Sequence, residues 1–390
     1  MLGKDTLPVG KLWFYNRKGR QSSSFEYDEK WLNSPNRFAL EPALTLSKGA
    51  FHTKNEQFLF GAIGDSAPDR WGRILMQRAN NTGRTLTELD YLLGVNDEIR
   101  QGALRFSEIE GKYLASSGKK SIPPFIKLPE LLSASEKFLA NNETAEELRL
   151  LLAPGSSLGG ARPKTSVIDK DQSLAIAKFP SKSDDTDITR WEAVALSLAK
   201  KAGINVPEFR LETIAGKSVL IIKRFDRKNG ERIPFLSAMS MLGAADNDGQ
   251  IHSYIDIANA LMQYGAQPNK DREELWRRMI FNIMISNTDD HLRNHGFLYA
   301  DGHGWILSPV YDLNPDINKK IFATAIDDTG AQNTLDLALR NIAPFNLSLK
   351  RAKEILDEVK TVIADWRTTA KSFGISKHDS EKMKQAFKTE

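Results

Sequence analysis

Residues 280–299 read IFNIMISNTDDHLRNHGFLY, an apolar helical run that gives way to five charged or imidazole side chains within residues 289–295. Two chemistries and one plain structural role are open to such a cluster. His291 and His295 stand four apart with Asp289 nearby, which on a helix would align two imidazoles for zinc. Against that, HLRNH lacks the Glu of a metalloprotease helix, Gly296 breaks the regularity, and Arg293 would set a cation beside the metal. The plain role is a solvated helix end, in which Asp, Asn and His cap and dissolve the helix REELWRRMIFNIMIS. The second chemistry takes Asp289 with Asn294, five residues on, and Asp312 in LSPVYDLNP, eighteen further. A carboxylate to accept the proton of a hydroxyl, with an amide and a second carboxylate to hold a divalent ion, is the minimum set for phosphoryl transfer by positioning and charge neutralisation.

The interval from Asp289 to Asn294 is that of the H-R-D-x-x-x-x-N loop of protein kinases, where the Asp faces the attacking hydroxyl and the Asn binds magnesium. Between that loop and Asp312 lies GFLYADGHGWILSP, two short apolar runs joined by ADGHG, which predicts a hairpin. Asp312 therefore stands where a kinase's second metal-binding Asp would. This reading requires a phosphate lysine on an upstream strand. Lys178 in SLAIAKFP fits, with Glu192 on the following helix as the ion-pair partner that would orient it; alone, Lys178 would read as an edge-strand lysine facing water. Ahead of it, APGSSLGGARPKTSV is dense in Gly and Ser, and its amides could wrap an anion, although it is neither a Walker A loop nor G-x-G-x-x-G. After the strand SVLIIKRFDR, Arg224 and Phe225 occupy a hinge where backbone groups could meet adenine.

The elements that must hold these residues follow from periodicity. Residues 1–110 mix strand candidates, KLWFYN and NEQFLFGAI, with helices at PDRWGRILMQRAN and TLTELDYLLG; Pro68 fits the first turn, and Trp71, Ile74, Leu75 and Arg78 follow at helical spacing. Residues 111–124, GKYLASSGKKSIPP, read as a loop. In the middle region KTSVID, SLAIAKFP and KSVLIIKRFDR read as strands, and DITRWEAVALSLAKKAGI places Ile188, Trp191, Ala195, Leu198 and Ala202 on one helical face that stops at Gly203. From 251 onward the pattern is helical apart from the hairpin. Three domains are expected: a β-rich subdomain at 1–110, a nucleotide-binding lobe at 111–250, and a helical lobe with catalytic and metal-binding loops at 251–390. With 41% apolar and 27% charged residues over 390, the composition is that of a soluble globular protein. The absence of cysteine excludes disulfides, thiolate nucleophiles and Cys-ligated metals. A net charge of +4 does not argue for nucleic acid. No long apolar span or signal-like N-terminus stands out, so a cytoplasmic location without membrane contact is expected.

Six segments in order, SSLGGARPK, AKFP, WEAVALSLAKKAGINVPE, IIKRFDR, NTDDHLRNHGFL and LSPVYDLNP, resemble the HipA-type serine/threonine kinases, toxins of bacterial toxin–antitoxin pairs. FGAIGDSAPDRWGR also resembles the N-terminal subdomain of that family. The resemblance implies an α+β, two-lobed protein-kinase-like fold, with a β-rich N-terminal lobe including an extra N-terminal subdomain and an all-α C-terminal lobe. It implies ATP and Mg2+ as cofactors, Asp289 as catalytic base, Asn294 and Asp312 as magnesium ligands, Lys178 as the phosphate-binding lysine and His291 near the nucleotide phosphates. Ser157 to Lys164 would be the phosphate loop, with Gly159, Gly160, Ala161 and Lys164 near ATP; Glu192, Arg224 and Phe225 complete the expected ATP-binding set. In this family a Ser at the head of that loop is autophosphorylated, which expels the loop and silences the kinase. Ser157 matches by its seven-residue spacing to Lys164, with Ser156 as the alternative, while Pro163 departs from some members. The implied partners are a HipB-like helix-turn-helix antitoxin, operator DNA only through it, and a protein substrate such as an aminoacyl-tRNA synthetase. A small-alcohol phosphotransferase and a silent co-repressor scaffold are the alternatives, and the intact set Asp289, Asn294, Asp312 and Lys178 counts against the scaffold. The basic C-terminal KSFGISKHDSEKMKQAFK reads as a solvated helix face sooner than as a contact to DNA phosphates.

Overall fold

The computed structural model describes residues 2, 7–17, 19–54, 57–109, 112–115, 122–155, 160, 162–181, 184–246, 248–300, 302–330 and 332–389. Helices and antiparallel sheets mix throughout, an α+β architecture, and no helix among the described residues is long and apolar enough to cross a membrane. The chain forms two compact units, Met1–Ser183 with Glu212–Leu236, and Asp184–Leu211 with Ser237–Glu390.

In the first unit, strands Lys164–Ile168, Leu174–Lys178 and Lys217–Lys223 lie antiparallel side by side. Alternation along them sends Val167, Ala175, Ala177, Val219 and Ile221 to one face, where they pack against Trp71, Leu75, Leu128, Leu131, Leu132, Phe138 and Leu151 from three helices. Trp71 anchors this contact: its indole N–H donates to the Lys164 carbonyl at 3.0 Å, and its ring meets Phe138 edge-on at 5.4 Å. The helix Arg70–Ala79 begins two residues later than a proline at its first position would place it, because Asp69 is the cap and accepts from the Gly72 amide at 3.0 Å. Trp71 and Leu75 are buried as their spacing predicts, whereas Ile74 stays 36% exposed.

Two local expectations change here. The run FLF does not form a strand; Phe60 leads into the helical turn Gly61–Gly64, whose Ala62 amide donates to the buried Glu41 carboxylate at 2.5 Å. Burial pushes the Glu41 carboxyl up to about 7. Within the expected loop 111–124, Lys112–Tyr113 pairs with Ser107–Ile109 as a short strand.

Strand Lys217–Lys223 runs out into a buried charge cluster. Asp226 accepts from Arg224 Nε at 2.7 Å, Arg227 Nη1 at 2.8 Å and the Gly102 amide at 2.8 Å. Gly102 has φ +72 and leaves only 3.2 Å between an added Cβ and the Phe235 backbone nitrogen, so glycine alone brings that amide to the carboxylate without strain.

The second unit is chiefly helical. Helix Ile188–Lys201 is capped by Asp187 and stops before Gly203, at φ +77. Trp191, Ala195, Leu198 and Ala202 are buried as expected, but so are Ala193, Val194 and Leu196, which makes this a core helix rather than an amphipathic one. Trp191 lies 6.1 Å from Trp366, which stacks flat on Phe387 at 4.3 Å. The basic C-terminal segment is thus docked by Met383, Ala386 and Phe387 with its lysines outward. The hairpin Gly296–Ala300 and Gly304–Leu307 pairs Phe297 with Leu307, so this unit is not all-α. Helix Tyr254–Tyr264 leaves room for it only because residue 304 lacks a side chain: at φ +107 a Cβ there would stand 2.7 Å from the Tyr264 carbonyl.

Asp226→Ala is expected to cost about 3–5 kcal/mol in urea unfolding, because it strands the Arg224 and Arg227 guanidiniums in the interior.

Candidate functional site

Helix Pro268–Met284 is buried on nearly every side from Leu275 onward and delivers the chain to Ser286, whose φ of +51 turns it sharply into the loop 287–295. That loop is held from below by Asp290. Only 4% exposed, Asp290 accepts from Asn282 Nδ2 at 2.9 Å, His295 Nε2 at 2.9 Å and the Tyr254 hydroxyl. Its backbone carbonyl takes the Thr324 hydroxyl at 2.6 Å. Burial alone would raise the Asp290 carboxyl, but the His295 imidazole beside it and the hydrogen bonds from His295 and Tyr254 outweigh that and hold it below the usual carboxylate range. Burial and the adjacent Asp290 push the Tyr254 phenol well up, so it stays protonated as a donor.

With one carboxylate anchored, its neighbour is displayed. The Asp289 side chain is 63% exposed and pairs with Lys319 at 2.7 Å. That ion pair raises the lysine, but it is too open to water to be strong. Asn294 donates through Nδ2 to the Asp289 carbonyl at 3.1 Å, which commits its amide nitrogen and leaves its oxygen for another partner. The His291 carbonyl accepts the Asn294 amide at 2.8 Å, and His291 Nδ1 is shielded without a hydrogen-bond partner.

The segment carrying Asp312 is laced to this loop at several points. Tyr311 donates to the Arg293 carbonyl at 2.7 Å, the Asn314 amide to Asn287 Oδ1 at 3.2 Å, the Asp316 amide to the Ser286 carbonyl at 3.1 Å, and the Thr288 hydroxyl to Asp316 Oδ2 at 3.3 Å. Asp312 itself sits at φ +60, a conformation costly to a residue with a side chain and kept only where the surroundings enforce it. Asp289, Asn294 and Asp312 thus come from two loops tied together within one unit. An amide and a carboxylate oxygen suit magnesium, which binds few protein ligands and takes phosphates and water for the rest. Zinc is a poorer fit: His295 is spent on Asp290, and among the described residues no three His, Asp or Glu side chains gather as a cage.

The other expected residues divide as follows. Lys164 and Lys178 are direct cross-strand partners, on the sheet face away from the helical core. Lys164 is 4% exposed and lies 3.6 Å from the Asp69 carboxylate. Arg224 is buried, its guanidinium committed to Asp226 and its amide to the Leu174 carbonyl at 3.0 Å, and the Phe225 ring lies 6.3 Å from Phe235. Gly160 has φ +90, and its carbonyl accepts the Trp71 amide at 3.3 Å. Ser156, Ser157, Gly159 and Ala161 lie outside the described residues. Glu192 is buried on its helix in the second unit, whereas Lys178 belongs to the first. Sequence reasoning passed over Asp290, Tyr254, Asn282, Asn287 and Asn314. The doubled Asp289–Asp290 was the available signal, since of two adjacent carboxylates in a tight turn one can be packed beneath the loop while the other faces water.

The profile of the HipA-like C-terminal domain family matches residues 156–366, more than half of the 390. A putative kinase from Haemophilus influenzae is 28% identical over 208 residues, 47% of this chain and 58% of that protein. The serine/threonine-protein kinase toxin HipA of Shewanella oneidensis is 26% identical over 216 residues, 47% of this chain and 49% of that one. The chain spans about half the length of the curated relatives it matches. A chain of the solved Shewanella oneidensis complex of HipA, HipB and operator DNA superimposes with a TM-score of 0.71 at 15% identity, covering 99% of this chain and 94% of that one, which establishes a shared fold.

Asp290→Asn is expected to lower stability at pH 7 by about 2 kcal/mol, the worth of hydrogen bonds to a buried charge. Because the folded carboxyl is depressed, the wild-type advantage is full above the free aspartate value near pH 4 and is lost as pH falls through the lower folded value. Urea unfolding of both proteins between pH 7 and pH 3 reads this as a narrowing gap.

Proposed function

This chain belongs to the HipA-like C-terminal domain family, and on that premise we propose that it is an ATP- and magnesium-dependent kinase transferring phosphate to Ser or Thr hydroxyls of a protein. The observation that supports the reading is the pair of laced loops, one carrying Asp289 outward with Asn294 at its backbone and Asp290 anchored beneath, the other carrying Asp312. Asp289 takes the acceptor hydroxyl's hydrogen bond and proton, and Asn294 and Asp312 hold the metal. Magnesium, when bound, neutralises phosphate charge. Lys164 and Lys178, cross-strand partners on their sheet, draw the nucleotide phosphates, and the Gly-rich segment ahead of Lys164, with Gly159 and Gly160, is the phosphate loop of this reading. The chain's own loop serine is a second acceptor, Ser157 with Ser156 as the alternative, since a dianionic phosphate there would be repelled from the triphosphate pocket.

The naming of relatives as kinases supports the activity, and the HipA of a solved complex is bound with HipB and operator DNA. On that footing the proposed partner is a HipB-like antitoxin, with DNA reached through it and an aminoacyl-tRNA synthetase as the substrate that family resemblance suggests.

The test is an intact mass taken after incubation with ATP and magnesium, on protein shown to be unmodified beforehand. One added phosphate is expected, with Asp289→Asn slowing its appearance about 10²–10⁴-fold and Ser157→Ala or Ser156→Ala moving or removing it. A wild type that gains nothing, or an Asp289→Asn protein that gains it equally fast, overturns the proposal.

A further inference from the structure

Asn314 lies two residues beyond Asp312 and has all but one of its side-chain groups accounted for. Its backbone amide donates to Asn287 Oδ1 at 3.2 Å and its side-chain nitrogen to Asp312 Oδ1 at 3.3 Å, yet its Oδ1 is shielded from solvent and has no hydrogen-bond partner. A buried carbonyl oxygen in that condition calls for an explanation. Its backbone is positioned from a distance. Asn287 donates to Asn282 Oδ1 at 3.2 Å, and Asn282 to Asp290 Oδ2 at 2.9 Å, so three amides run in sequence from the buried carboxylate to the Asp312 segment.

Because the nitrogen is spent on Asp312, the oxygen is what this side chain has left to offer. It is neutral and hard, and it lies within one amide's width of a carboxylate proposed to bind a cation. Magnesium selects oxygen ligands of this kind and keeps octahedral geometry. We infer that Asn314 presents Oδ1 to the divalent ion held by Asn294 and Asp312, as a further protein ligand. The inference rests on the phosphotransferase reading of those two residues. It also gives the asparagine chain a purpose: Asn282 and Asn287 fix the backbone from which Asn314 projects, and Asp312 takes the side-chain nitrogen, which turns the oxygen the other way.

The probe is Mn2+, titrated into the full chain with a saturating non-hydrolysable ATP analogue and followed by loss of the free-ion EPR signal, with thermal melts confirming that each variant is folded. Asn314→Ala is expected to weaken Mn2+ binding about ten-fold. Asn314→Asp is expected to bind at least as tightly as wild type, because a carboxylate keeps an oxygen in place. A residue that merely steadied Asp312 by donating to it would give the reverse order, with Asp worse than Ala through repulsion between the two carboxylates. That order, or an Ala variant that binds like wild type while Asp312→Asn does not, overturns the inference alone. If Asp312→Asn also binds Mn2+ like wild type, the reading of Asp312 as a metal ligand falls, and this inference falls with it.

Discussion

A carboxylate withdrawn from water needs donors on every side, and the geometry of the second unit follows from meeting that need at Asp290. Tyr254, Asn282 and His295 come from a helix, a second helix and the root of a strand, and they converge on one side chain. Any slip of the loop by one residue would put Asp289 in that pocket and Asp290 in water, breaking three hydrogen bonds at once. The register of residues 286–295 is therefore enforced by chemistry underneath the loop rather than by the loop's own backbone preferences. Two neighbouring acids acquire opposite fates from this arrangement, one structural and one on display.

The first unit uses the same device at Asp226, where a carboxylate just past the end of a strand gathers two guanidiniums and a glycine amide. Burial there would raise the carboxyl, and the arginines hold it far below its ordinary value instead. In both units an apolar element runs straight into a buried acid, and the residues with candidate chemistry stand beside it, Arg224 and Phe225 in one case and Asp289 in the other. Rigid placement comes from the acid; the neighbours inherit it.

What the sequence made legible was local. The helix REELWRRMIFNIM, the hairpin around ADGHG and the strand SLAIAK all follow from repeats of three to four or of two, which depend only on neighbours in the chain. The spacing of Asp289 and Asn294 was equally readable, and the structure places both on one short loop with Asp312 tied alongside. What failed to show was set by contacts distant in sequence. FLF has strand composition but ends in a helical turn because Glu41 supplies a buried acceptor for the Ala62 amide. Lys164 opposite Lys178 needs the register of two strands at once, and the all-round burial of helix Ile188–Lys201 needs partners that periodicity cannot see. Ser156 and Ser157, expected at the head of a phosphate loop, lie outside the described residues.

The meeting of Trp191 with Trp366 and Phe387 has a consequence for how the polypeptide matures. The indole that seats helix Ile188–Lys201 is made long before the aromatic side chains that cover it, so a nascent chain carries an uncovered tryptophan surface throughout the intervening translation. A chain still short of residue 387 has no Phe387 to set against either tryptophan, and exposed apolar surface of that kind is what favours association of incomplete chains.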